Sequence, residues 1–152
     1  MNNESGRSLI ELLGVLAIGG VMTAGALALF STLRNEQRRA FASATLEQIA
    51  QDTKLLMQSR GTYAGLSVDY LIKAGALGGD AAPIGGADWN VGPYGIDDAA
   101  FAITLNNLTQ GECQYFATAR AQWATSVLIN GYETDMPQCF SSATNQVIFV
   151  VE

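Results

Sequence analysis

Glu11 has the strongest claim on chemistry in this sequence. It is the only ionisable residue between Leu9 and Phe30, in a run otherwise built from Leu, Ile, Val, Ala, Gly, Met, Thr and Phe. A carboxylate at membrane depth costs a few kcal/mol unless it is paired, so such a group is a functional candidate by default. Cleavage between Gly6 and Arg7 would create a partner for it. The new ammonium on Arg7 would stand four positions before Glu11, on the same helical face. The two cysteines, Cys113 and Cys139, are the other reactive candidates. They lie in no C-x-x-C pattern, and the chain has no histidine to complete a metal site with them. Either they form one disulfide, which would add about 3.5 kcal/mol in the chain-entropy model and needs an oxidising compartment, or they are two buried thiols. Catalysis has little to work with. Without histidine neither a Ser-His-Asp nor a Cys-His arrangement exists, and no G-x-x-x-x-G-K phosphate loop is present. Asp97-Asp98, or Asp80 with Asp88, fit no EF-hand spacing and read as solvated loops. No enzyme, cofactor or metal is expected.

The elements that must carry these residues begin with the apolar run. The chain has 152 residues, enough for one domain, and the hydrophobic share of 49% against 14% charged is high for a soluble protein. Much of the excess sits in Leu9 to Phe30, which as a helix would extend about 33 Å and match a bilayer core. The competing readings are a buried core helix and a secretory signal cut near Ala24-Gly25-Ala26. Apolar residues on every face disfavour the first, and the absence of a basic residue in Met1 to Gly6 disfavours the second. Gly14, Gly19, Gly20 and Gly25 allow close helix packing in lipid, and Gly19-Gly20 is also a candidate weak point. From Ser31 to Ser59 neither Pro nor Gly interrupts. The helix is expected to continue from about Ser8 to Arg60, roughly 80 Å, with Phe41, Thr45, Ile49, Thr53 and Leu56 on one face and Gly61 as its stop.

Beyond Gly61 the expected order is a loop-rich stretch to Tyr94 with a short helix near Val68 to Lys73, and then a strand at Phe101 to Leu105. A helix from Gly111 to Ala121 should follow, then a strand from Ser126 to Ile129 closed by the turn pair Asn130-Gly131, and a last strand from Gln146 to Val151. The fold class is therefore α+β, a long N-terminal helix packed against a small antiparallel sheet. Charge divides along the chain. The stem carries Arg34, Arg38, Arg39, Lys54 and Arg60 against Glu36, Glu47 and Asp52, while the segment after Gly61 holds nine acids against Lys73 and Arg120. An acidic head repels nucleic-acid phosphates. The basic stem suits lipid phosphates or the acidic head of a neighbour. The arginines that follow the anchor favour a cytoplasmic C-terminal side by the positive-inside count, whereas a disulfide would place the head outside.

Gly6-Arg7-Ser8-Leu9-Ile10-Glu11-Leu12-Leu13, followed by Val15-Leu16-Ala17-Ile18-Gly19, resembles the N-terminal signature of type IV prepilins. Tyr63-Ala-Gly-Leu-Ser, Pro93-Tyr94-Gly95, Val-Leu-Ile-Asn130-Gly131 and Cys139 followed by Asn145-Gln-Val-Ile-Phe149 look like type IVb pilin heads. The resemblance implies a leader at 1–6, a transmembrane and filament-core helix at 7–30, an amphipathic spine at 31–60 and a globular head at 61–152. It implies cleavage by a prepilin peptidase between Gly6 and Arg7, N-methylation of Arg7, and neutralisation by Glu11 of a neighbouring subunit's amine. It also implies a Cys113–Cys139 disulfide loop. The implied partners are copies of the chain in a helical filament, the peptidase, an inner-membrane assembly platform and its ATPase. The implied location is the inner membrane as precursor, then an extracellular pilus. A minor pilin, a pseudopilin of type II secretion and a membrane-tethered binding or adhesin module are the alternatives.

Overall fold

A computed structural model describes residues 4–119, 121–133 and 138–152, with side chains from Leu9 onward. Helix α1 (Glu4–Met57) opens the chain. Two units follow from the contacts, Met1–Gln37 and Arg38–Glu152.

The first unit is helix alone. No proline interrupts it, and its hydroxyl groups bond within the helix. Thr23 Oγ1 donates to Gly19 O at 2.7 Å, and Ser31 Oγ and Thr32 Oγ1 both reach Ala28 O. A polar group satisfied by its own helix can enter hydrocarbon at low cost. The helix begins before the expected Ser8 and passes through Gly19 and Gly20 without a break.

In the second unit the last turns of α1 form one wall of the core. Ala42, Leu46, Ile49, Ala50, Thr53 and Met57 are buried, at the three- and four-residue spacing of one helical face. This corrects the expected stripe. Ile49 and Thr53 belong to it, but Phe41 is 67% exposed and Thr45 and Leu56 are half-buried. The buried face is turned by about one residue, with the small side chains of Ala42 and Ala50 on it and Phe41 off it. The helix ends at Met57, where Arg60 N bonds Met57 O at 2.9 Å. Gly61 follows with a φ of 72°, and the Arg60 guanidinium sits over the Tyr70 ring at 5.1 Å.

Helix α2 (Val68–Lys73) matches its expected span. Ser67 caps its start, and Gly75, with a φ of 80°, ends it in a Schellman turn: Gly75 N bonds Ile72 O and Ala76 N bonds Leu71 O. The sheet then forms from β1 (Asn90–Tyr94), β2 (Ala100–Leu108), β3 (Ser126–Ile129) and β4 (Asn145–Val151), antiparallel throughout in the order β1-β2-β4-β3. Helix α3 (Gln110–Thr118) lies between β2 and β3 in sequence. Phe101, Ile103 and Leu105 alternate along β2, and Val147, Phe149 and Val151 along β4. These six share one core cluster with the buried face of α1.

Strand β1 was not expected. Gly92 and Pro93 sit inside it, and both speak against a strand in a window of sequence. It survives because it is an edge strand paired only with β2, so a proline without an N–H is tolerated. Gly85, with a φ of 84°, must be glycine for a second reason: a Cβ there would run into the backbone carbonyl of Asn106.

Candidate assembly surface and disulfide loop

The apolar run of α1 has no buried face. α1 contains a stretch long and apolar enough to cross a membrane, and none of that window is buried. Leu9, Ile10, Leu12, Leu13, Val15, Leu16, Ile18, Val21 and Met22 are all exposed. A contiguous apolar surface of this extent marks a membrane or association site. Glu11 lies exposed on the first turns of that surface, and the backbone of Gly6 and Arg7 is helical one turn earlier. The side chain of Arg7 lies outside the described residues. At the other end of the apolar run, the Arg34 guanidinium lies 5.3 Å from the centre of the Phe30 ring. That pairing suits a headgroup boundary, where an aromatic ring and a cation share an interface.

The second site is the C-terminal loop of the head. Cys113 and Cys139 are joined by a disulfide, with their Cα atoms 5.9 Å apart. Cys113 is placed by α3, whose start is fixed by a capping box: Thr109 Oγ1 accepts from Glu112 N, and the Glu112 carboxylate accepts from Thr109 N at 2.8 Å. The ring of Phe116, one turn beyond Cys113, meets Phe149 edge to face at 5.8 Å, which binds the helix to β4. Of the expected helix, Ala119 falls outside with extended backbone and Ala121 is not helical, while Arg120 lies outside the described residues.

Asn145 is the residue that sequence reasoning missed. It is fully buried. Its Oδ1 accepts from Phe140 N at 2.7 Å and from Asn130 Nδ2 at 3.1 Å. Its Nδ2 points at the carbonyls of Leu108, Phe140 and Ser142 between 2.9 and 3.1 Å. Asn130 extends the cluster, accepting from Gln146 N at 2.8 Å and donating to Gln138 O at 2.8 Å. The two amides therefore tie the loop after Cys139 to both β2 and β4. The one available signal was the polar pair Asn145-Gln146 directly before the apolar run Val147 to Val151, at the point where a strand leaves a loop.

Tyr63 packs its ring on Phe101 at 4.7 Å and donates its backbone N–H to Asp98 O at 2.9 Å. Partial burial pushes its phenol pKa above the ordinary value. Among the described residues no group of three or more His, Cys, Asp or Glu could hold a metal ion. Asp80 and Asp88 flank a loop in which Trp89 N bonds Asp80 O and Ala81 pairs with Asp88.

The arrangement has a solved counterpart. The crystal structure of TcpA, a type IV pilin from Vibrio cholerae El Tor biotype, superposes with a TM-score of 0.62. The match covers 76% of this chain and 99% of that one, at 16% identity. The fold is that of a type IV pilin. No protein-family model and no curated protein sequence matches the chain. A pilin fold with so little sequence in common means that shared core geometry, rather than shared side chains, carries the likeness.

Proposed function

We propose that this chain is a structural subunit of a type IV pilus. A prepilin peptidase cuts between Gly6 and Arg7, and Arg7 becomes the N-methylated first residue. The subunit waits in the inner membrane on its apolar helix with the head outside. An assembly platform driven by an ATPase then draws it into a helical filament of copies of itself. The observation that carries this reading is the pairing of a pilin head with an unburied apolar helix whose sole ionisable residue, Glu11, stands one turn after Arg7. Polymerisation buries the exposed helix in a bundle, and Glu11 meets the freed amine of a neighbour there. In a low-dielectric bundle each charge is costly alone and tolerated when paired. The disulfide supports an oxidising location for the head, and this outweighs the arginines that follow the anchor.

The deciding experiment is the mass of the N-terminal peptide from sheared surface fractions of the native cells. A peptide that begins at Arg7 supports processing and export, while one that begins at Met1 or after Ala26 removes the proposed charge pair. Glu11→Ala, expressed at wild-type level, should leave the protein in the membrane and abolish filaments. Filaments in normal yield from that variant would end the reading.

A further inference from the structure

Asn130-Gly131 is the sole Asn-Gly pair in the sequence. Such a pair is chemically labile, because the glycine amide nitrogen is unhindered. That nitrogen attacks Cγ of the asparagine carboxamide, a C–N bond forms, and ammonia leaves with the former Nδ2. Water then opens the succinimide ring, giving aspartate or isoaspartate. The balance is carboxamide plus water to carboxylate plus ammonium, with no oxidant or reductant.

The turn and the carboxamide of this pair are held. The turn is closed from both sides, with Ile129 N to Tyr132 O at 2.9 Å and Tyr132 N to Ile129 O at 3.0 Å. Asn130 and Gly131 both have positive φ, 52° and 84°. Asn130 N bonds Gln146 O at 2.9 Å. The carboxamide is fixed at both of its atoms: Oδ1 accepts from Gln146 N, and Nδ2 donates to Gln138 O and to Asn145 Oδ1. Attack requires the carboxamide to rotate off these partners and the peptide to leave the turn. Gln138 is the residue directly before Cys139, so the disulfide holds that acceptor from its own side, while Asn145 holds Phe140 on the other side of the cysteine.

We propose that Asn130 is a latent deamidation site that the Cys113–Cys139 loop holds unreactive, and that reduction of the disulfide releases it. The product carboxylate has no proton to donate, and it would face Gln138 O and Asn145 Oδ1, both acceptors. Reduction followed by deamidation would thus leave a loop that docks more weakly, through Asn145 and without Asn130, which gives a reversible redox event a permanent trace.

The test uses the full chain in detergent micelles at mildly alkaline pH, held as oxidised native protein, as oxidised protein in concentrated urea, and as reduced protein in native buffer. Peptide mass mapping follows conversion at Asn130, and tryptophan emission from Trp89 and Trp123 follows the fold. The expected result is protection in the oxidised native chain of about tenfold or more relative to urea, as local opening controls reactivity. The reduced chain should react about fivefold faster than the oxidised native chain, as release of the one hydrogen bond to Gln138 implies, with its native emission kept. An oxidised native chain that reacts as fast as the urea sample overturns the proposal. So does a reduced chain that stays protected, and so does one that reacts only as its emission is lost. Asn130→Asp, reduced and then reoxidised, should re-form the disulfide about fivefold more slowly than wild type, as one missing hydrogen bond implies; an equal rate would overturn the docking step.

Discussion

Replacing Asn145 with alanine removes a side chain that joins the loop after Cys139 to strands β2 and β4. Five contacts go, but the Nδ2 group has two hydrogens for three carbonyls, so four effective bonds are lost. They do not weigh equally. Phe140 and Ser142 are exposed, and the groups they present can turn to water, so the bonds to them are worth ~0.5 kcal/mol each. Leu108 is fully buried, and Asn130 Nδ2 loses its partner inside the cluster, so these two cost ~1–1.5 kcal/mol each. The expected loss is about 3 kcal/mol of a total that is only about 5–15 kcal/mol for a domain of this kind. The assay is urea unfolding of the oxidised full chain in micelles, followed by the emission of Trp123, whose ring lies 5.1 Å from that of Phe149 on β4. Asn145→Asp gives a sharper test. It keeps the acceptor for Phe140 N but turns the donor toward Leu108 O into a second acceptor, and it buries a charge. Asp should therefore cost more than Ala, although it differs less in shape. A loss below about 1 kcal/mol for Ala, or an Asp variant milder than Ala, would refute the account of Asn145 as a donor that organises the loop.

Thr53 is fully buried and its Oγ1 has no hydrogen-bond partner among the described residues; Thr53→Val should raise stability by about 1 kcal/mol in the same assay, and a loss would mean that the hydroxyl is satisfied after all. Gly85→Ala puts a side chain at a φ of 84° and against the Asn106 carbonyl, so it should cost roughly 2 kcal/mol or more, with Gly86→Ala milder because its Cβ would meet nothing within 4 Å. Tyr63 has its folded-state pKa raised by burial, which means that the native state keeps its proton where the unfolded state has lost it. That contribution is present below the unfolded value of about 10 and is lost as pH rises through the folded value. Alkaline titration by phenolate absorbance should show one late tyrosine that Tyr63→Phe removes, and a titration unchanged in Tyr63→Phe would contradict the assignment.

The parts of the fold that were legible from sequence are those fixed by local rules. Helix α2 stands on a serine cap and a glycine stop, and β3 ends at Asn130-Gly131, where two residues with positive φ are needed. β4 announces itself through an unbroken apolar run. The illegible parts are those decided by partners remote in sequence. β1 exists because β2 offers an edge, which no reading of Gly92-Pro93 alone can supply. Which face of α1 is buried is set by the core it meets, and that core takes Ala42 and Ala50 and leaves Phe41 exposed. Asn145 looked like a loop residue, and its five contacts are with Asn130 and with the backbone of Leu108, Phe140 and Ser142, the first and second of these 15 and 37 residues away.

The same contrast explains why Glu11 stood out and the head did not. A lipid-facing helix admits few residue types, so a single carboxylate in it is conspicuous and restricts function sharply. A soluble head asks only that alternate positions be apolar and that volumes fit, and many sequences meet that demand. At 16% identity with the TcpA pilin the chain still reaches the same fold. Residue choice is least constrained outside the cluster of α1, β2 and β4. The loop after Cys139 fits that description: Phe140 is exposed, while the disulfide and the Asn130–Asn145 pair hold its ends. A loop held through its backbone, with its side chains exposed, can vary in sequence without loss of the fold.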